Sequence, residues 1–125
     1  MPRQILYIED NPDNRTLIRR VLQSEGYTVR EAPDGPIGLR MAAELLPDLV
    51  LMDINLPDID GYEVTARLKQ LPGMSAVPVI AVTANVMKGD REKTLAAGCD
   101  GYIQKPIDID TITSQIEHFL TRTKS

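Results

Sequence analysis

Cysteine is almost missing from this chain: Cys99 stands alone among 125 residues. A lone thiol excludes an internal disulfide and leaves no thiolate set for a zinc site. Basic charge is also scarce. Fourteen Lys and Arg face 18 Asp and Glu, for a formal net charge of −4. That balance argues against nonspecific nucleic-acid binding, which is driven by neutralising phosphates. No apolar run approaches the roughly 18 residues of a membrane span. The start, "MPRQILYIEDN", turns acidic too soon for the apolar core of a secretory signal. Linkers, low-complexity runs and internal repeats are lacking as well. What remains is the expectation of one cytoplasmic domain over residues 1–125, with no membrane partner. Its 42% hydrophobic content is enough for a true core.

What is present is alternation. Short apolar, β-branched runs occur at Ile5–Ile8, Tyr27–Ala32, Leu49–Met52, Val77–Thr83 and Gly101–Gln104. Between them lie stretches with helical spacing. Leu17, Ile18, Val21 and Leu22 form one, ending at Gly26; Ile37, Met41, Ala42 and Leu45 form the next, ending at Pro47. Val64, Leu68 and Leu71 precede Pro72-Gly73, residues 85–97 precede Gly98, and Ile109, Ile112, Ile116, Phe119 and Leu120 close the chain. Pro12 suits a first helical turn, and Asp60-Gly-Tyr-Glu63 has capping-box spacing with Asp in the Ser/Thr place. The fourth helix is the weakest, since it contains Gly89 and a mostly charged sequence. Five strand–helix repeats predict a parallel sheet covered on both faces. Leu49–Met52 and Val79–Val82 read as strands buried on both sides.

In such sheets ligands bind beyond the C-terminal strand ends. The first strand runs into Glu9-Asp10, the third into Asp53, the fourth into Thr83-Ala84 and the fifth into Lys105-Pro106. Taken singly, each has a plain alternative: a solvated acid pair, a loop acid, a strand-end hydroxyl, a turn. Taken together, three carboxylates make a hard-oxygen cluster of the kind that suits Mg²⁺. A hydroxyl and an ammonium beside them could stabilise a phosphoryl group, and an ionised carboxylate can serve as its nucleophile.

The stretches "ILYIEDN", "PDLVLMDINLPDIDGYE", "VPVIAVTA" and "GYIQKPID" resemble the CheY-like receiver domain of two-component response regulators, over essentially the whole chain. The style is that of single-domain regulators of the DivK type and of hybrid-kinase receiver modules. The resemblance implies a flavodoxin-like (βα)5 fold with a five-stranded parallel sheet of order 2-1-3-4-5. It implies Asp53 as phosphoacceptor, and a Mg²⁺ ion, or another divalent cation such as Mn²⁺, on Glu9, Asp10, Asp53 and the Asn55 backbone carbonyl. Thr83, Lys105 and the Ala84 backbone N–H would contact phosphoryl oxygens, and Tyr102 would be the switch aromatic. Lys105-Pro106 would be a cis peptide. The implied partners are a sensor histidine kinase or histidine phosphotransfer protein and a downstream protein effector. Nucleic acid would not be contacted directly, and the state expected is a monomer or weak dimer. The protein would then be a signalling switch, not a turnover enzyme, with no output domain after the last helix.

Asn55 and Asn85, two residues beyond Asp53 and Thr83, occupy positions that tune phosphoryl lifetime in that family. Met87-Lys88 is a candidate partner surface. Arg15, Arg19, Arg20 and Arg30 read as solvated, with the first helix a candidate for kinase docking. His118 reads as a solvated helix residue, and Cys99 as a small residue packed before the last strand. Two rivals remain open at this point. One is an aspartate-nucleophile phosphatase resembling the haloacid dehalogenase family. That family, however, places two aspartates one residue apart after the first strand. The other is a receiver-like binding module that works unphosphorylated.

Overall fold

A computed structural model describes residues 3–54, 56, 59–84 and 88–122. Strands and helices alternate throughout: β1 (Gln4–Ile8), α1 (Pro12–Ser24), β2 (Thr28–Ala32), α2 (Gly35–Leu45), β3 (Leu49–Asp53), α3 (Gly61–Gln70), β4 (Val79–Thr83), α4 (Lys88–Ala96), β5 (Gly101–Gln104) and α5 (Ile112–Arg122). The strands form one parallel sheet of order β2-β1-β3-β4-β5. The parallel sheet is what the alternation predicts, and its order is the flavodoxin-like one that the family resemblance implies.

Side-chain alternation along each strand divides the core in two. Leu6, Ile8, Val50, Met52, Val79 and Ala81 face α2 and α3, where they meet Ala42, Val64 and Leu68. Ile5, Tyr7, Leu49, Leu51, Ile80 and Val82 face the other way, onto Ile18 and Leu22 of α1 and Ile112, Ile116 and Leu120 of α5. Every residue of β3 and β4 is buried, which explains why Leu49–Met52 and Val79–Val82 are continuously apolar rather than alternating. Each fully buried aliphatic side chain contributes about 1.5–3 kcal/mol of transfer free energy. No helix among the described residues is long and apolar enough to cross a membrane.

Local chemistry sets the helix ends. The Asn11 carboxamide oxygen accepts the Asp13 and Asn14 N–H groups at 2.8 and 3.0 Å, and Pro12 follows as the first helical residue. Asp34 caps α2 through Ile37 N–H, and Asp60 caps α3 through Glu63 N–H at 3.0 Å. Gly26 and Gly98 close α1 and α4 at φ of 94° and 105°, a region that strains any residue with a Cβ.

At the opposite end of the sheet from the strand C-termini, Tyr27 lies beside Glu117 of α5. Burial and then the Glu117 carboxylate push its phenol up to about 12. The unfolded chain releases this proton near pH 10, while the folded chain keeps it, so folding loses stability as pH rises from about 10 to 12. Tyr27→Phe should therefore flatten the fall in urea midpoint across that window and leave neutral-pH stability nearly unchanged. An unchanged alkaline slope would refute the assignment.

Candidate functional site

Parallel topology brings four strand ends to one edge. The β1–β2 ladder extends one residue past β1, with Glu9 N–H bonded to the Ala32 carbonyl at 3.0 Å. Ile54 N–H bonds to Val82 O at 3.2 Å, and Lys105 N–H to Thr83 O at 2.8 Å. These bonds fix the backbone directly beside Glu9, Asp53, Thr83 and Lys105. Each side chain is thus placed by a strand end rather than by a free loop.

Glu9, Asp10 and Asp53 each offer a carboxylate oxygen, and all three atoms lie within 4.8 Å of one another. Glu9 and Asp53 are each only 1% exposed, while Asp10 opens to solvent. Lys105 Nζ bridges the buried pair, 3.3 Å from Glu9 Oε1 and 3.2 Å from Asp53 Oδ1. Burial alone would lower the Lys105 pKa, but the Asp53 and Glu9 carboxylates outweigh it and hold the ammonium above its usual range. One cation against three carboxylates leaves two negative charges uncompensated within the cluster. A divalent cation would balance them, and an all-carboxylate donor set is the hard-oxygen chemistry of Mg²⁺ or Mn²⁺.

Thr83 ends β4 and is buried, and Ala84 follows it into solvent. The Lys105–Pro106 peptide is cis. Tyr102 is half-buried on the α2–α3 face of the sheet, in register with Ala81 of β4. Asn55, Asn85 and Met87 lie outside the described residues. Beside Lys105, an open cavity of about 350 Å³ has Leu17, Ile18, Pro106 and Ile107 in its wall.

Several contacts around Glu9 are absent from the sequence reading. The Tyr7 hydroxyl donates to Glu9 Oε1 at 3.2 Å, and Asn14 Nδ2 reaches the same oxygen at 3.5 Å. Asn11 N–H donates to Oε2 at 3.3 Å. The period of two along β1 places Tyr7 under Glu9 and is the signal that could have revealed this pair.

Arg15 and Arg19 require a correction. Expected in solvent, both pair with Glu31 of β2 and are partly covered. The reason is that Glu31 stands beside α1 and presents its carboxylate to two successive helical turns. Arg15 Nη1 also donates to the Glu9 backbone carbonyl at 2.7 Å, which ties α1 to the end of β1. Arg20 and Arg30 are exposed as expected, as is His118, whose ring meets Phe119 edge-on. Cys99 is buried, with its thiol near the Thr65 hydroxyl at 3.6 Å.

Comparison with known proteins bears on this arrangement. A family model described as "Response regulator receiver domain" matches residues 5–117. The polar-differentiation response regulator DivK of Brucella anthropi is 42% identical over 120 residues, which cover 96% of this chain and 98% of that protein. A putative response regulator from Chloroflexus aurantiacus superposes with a TM-score of 0.92 at 29% identity, covering 98% of this chain and 100% of that one. The receiver domain of a sensor histidine kinase from Pseudomonas aeruginosa was solved with a magnesium ion coordinated in its active-site cleft. It superposes with a TM-score of 0.89 at 37% identity, covering 97% of this chain and 99% of that one.

Proposed function

The chain belongs to the response regulator receiver family of two-component signalling, and from that premise we propose that it takes a phosphoryl group onto Asp53. The donor is a phosphohistidine on a sensor kinase or a histidine phosphotransfer protein. The observation that carries this reading is the buried Asp53 carboxylate, held by Lys105 and flanked by two further acids.

A carboxylate nucleophile carries no proton that must be removed, so the transfer calls for no general base. One of its oxygens forms the new P–O bond while the P–N bond of the donor breaks, with that electron pair leaving on the imidazole nitrogen. Lys105 exchanges its contact with Asp53 for the phosphoryl oxygens, and the Thr83 hydroxyl and Ala84 N–H donate to them. These are preorganised donors for the charge that the transferring group carries. Glu9, Asp10 and Asp53, with the Asn55 carbonyl, would hold Mg²⁺. The bound ion supplies neutralisation of the carboxylates and of phosphoryl charge. Phosphorylation then adds roughly −1.5 to −2 charge, by analogy with other phosphorylated side chains. Thr83 and Tyr102 relay this change to the face formed by α4, β5 and α5, which engages a downstream protein. The short, polar α4 suits an element with a small energy gap between two arrangements.

Acetyl phosphate with Mg²⁺ should label the chain with one phosphoryl group, and a chelator should abolish the labelling. Equal labelling in the chelator would overturn the role of the metal. The likeness to a kinase-borne receiver favours a second reading, a relay module that passes its phosphoryl group back to a phosphotransfer protein. A phosphotransfer profile across the host's kinases and phosphotransfer proteins separates the two. Rapid loss of label to a phosphotransfer protein identifies the relay.

A further inference from the structure

We propose that Tyr7 is a positioning residue for the cation site: its buried hydroxyl anchors the Glu9 carboxylate so that Glu9 stays turned toward Asp10 and Asp53. The inference rests on the proposed reading of this site as a divalent-cation site.

Tyr7 occupies a strand position that is fully buried against α1 and α5, among Ile5, Ile18, Leu22, Leu51 and Val82. Any large apolar residue could fill such a place. A phenol there carries a hydroxyl into the core, and that hydroxyl must find a partner. It finds Glu9 Oε1 at 3.2 Å, two residues on and on the same side of the strand. The contact is therefore built into β1 itself and does not depend on any other element moving into place.

Glu9 Oε1 also receives Lys105 Nζ at 3.3 Å, but that ammonium is shared with Asp53 at 3.2 Å. In the proposed reaction Lys105 turns to the phosphoryl oxygens. Asn14 Nδ2, at 3.5 Å, is a marginal donor. Tyr7 is then the donor that remains on Oε1 throughout, because its ring is locked in the core. Oε2 accepts only the Asn11 N–H among the described residues and keeps lone-pair capacity for a cation. The two oxygens thus divide their work, with Oε1 anchored and Oε2 offered. Partners that orient a metal-binding side chain from behind commonly change affinity tenfold or more when lost.

The test is a calorimetric titration with Mg²⁺ of the wild-type chain, Tyr7→Phe, Glu9→Gln and the double variant, with metal-free unfolding midpoints measured alongside. Tyr7→Phe should weaken Mg²⁺ binding about tenfold, at an unfolding midpoint close to wild type. In the Glu9→Gln background the same change should have an effect below about twofold, since coupled residues do not act additively. Wild-type affinity in Tyr7→Phe, or an equal loss in both backgrounds, overturns the positioning role while leaving the cation site intact. Failure of the wild-type chain to bind Mg²⁺ overturns both. Should Tyr7→Phe not fold, the ¹³Cζ resonance of Tyr7 in the wild-type chain decides. It should shift along the Mg²⁺ isotherm, and a resonance that stays still refutes the proposal.

Discussion

Gly61→Ala should lower the stability of this protein by about 3 kcal/mol, although alanine is the better helix former. Gly61 is the first residue of α3, directly after the Asp60 cap. A Cβ there would stand 2.6 Å from Ile54 Cα and 2.7 Å from the Asp53 carbonyl oxygen. Both neighbours are backbone, so no side-chain rotation can relieve the clash. The Gly61 N–H also bonds to the Ile54 carbonyl at 3.0 Å, which pins the helix start against the end of β3. Relief therefore requires α3 to move away from the strand that carries Asp53. The helix-propensity gain of Ala over Gly is at most about 1 kcal/mol, too small to offset this. Urea unfolding should show a clearly lower midpoint with an unchanged slope. The cation site should weaken too, because the displaced backbone is that of Asp53. A midpoint equal to wild type would mean that the α3–β3 approach is looser than described.

The fold was legible because its two strongest signals agree. Short continuous apolar runs between turn signals read as strands buried on both faces, and Leu49–Met52 of β3 and Val79–Val82 of β4 are that. The regular return of helical spacing then forces a parallel sheet. Element ends were less legible, for local reasons. Tyr27 reads as a strand residue, yet its N–H turns back to Leu22 O at 3.1 Å and belongs to the close of α1. Val77 likewise donates to Met74 O in a turn, and Pro78 has no N–H to give, so β4 begins at Val79. At Asp60 the cap forms, while Glu63 pairs with Arg67 four residues on, at 3.4 Å.

In the site, convergence was legible and contact was not. Glu9, Asp10, Asp53, Thr83 and Lys105 could be placed at one edge because strand ends in a parallel sheet must meet there. Which atoms touch depends on side-chain direction and on helices arriving from elsewhere. The Tyr7–Glu9 bond, the Arg15 bond to the Glu9 carbonyl and the Glu31 pairs with Arg15 and Arg19 are contacts of this kind. They lie behind the residues that would meet a ligand and leave no mark in a motif.

Asp53→Asn should take up no phosphoryl group under conditions that label the wild-type chain fully. The replacement keeps the shape of the side chain and removes its charge. A neutral carboxamide offers no anionic oxygen for attack on phosphorus, and the acyl phosphate cannot form. Lys105 keeps Glu9 as a partner at 3.3 Å, so the ammonium is not stranded and the fold should persist. Loss of one of three carboxylates from the cluster should also weaken Mg²⁺ binding about tenfold or more. Normal unfolding with no labelling is the signature expected of a lost nucleophile rather than a lost fold.

The most direct measurement locates the phosphoryl group itself. The wild-type chain is treated with acetyl phosphate and Mg²⁺, reduced with borohydride so that an acyl phosphate becomes an alcohol, and mapped by peptide mass spectrometry. The prediction is homoserine at position 53 and nowhere else, with none formed when acetyl phosphate is left out. Reduction at Glu9 or Asp10, or a phosphoryl group retained on Ser, Thr or His118 with position 53 unchanged, would contradict the account.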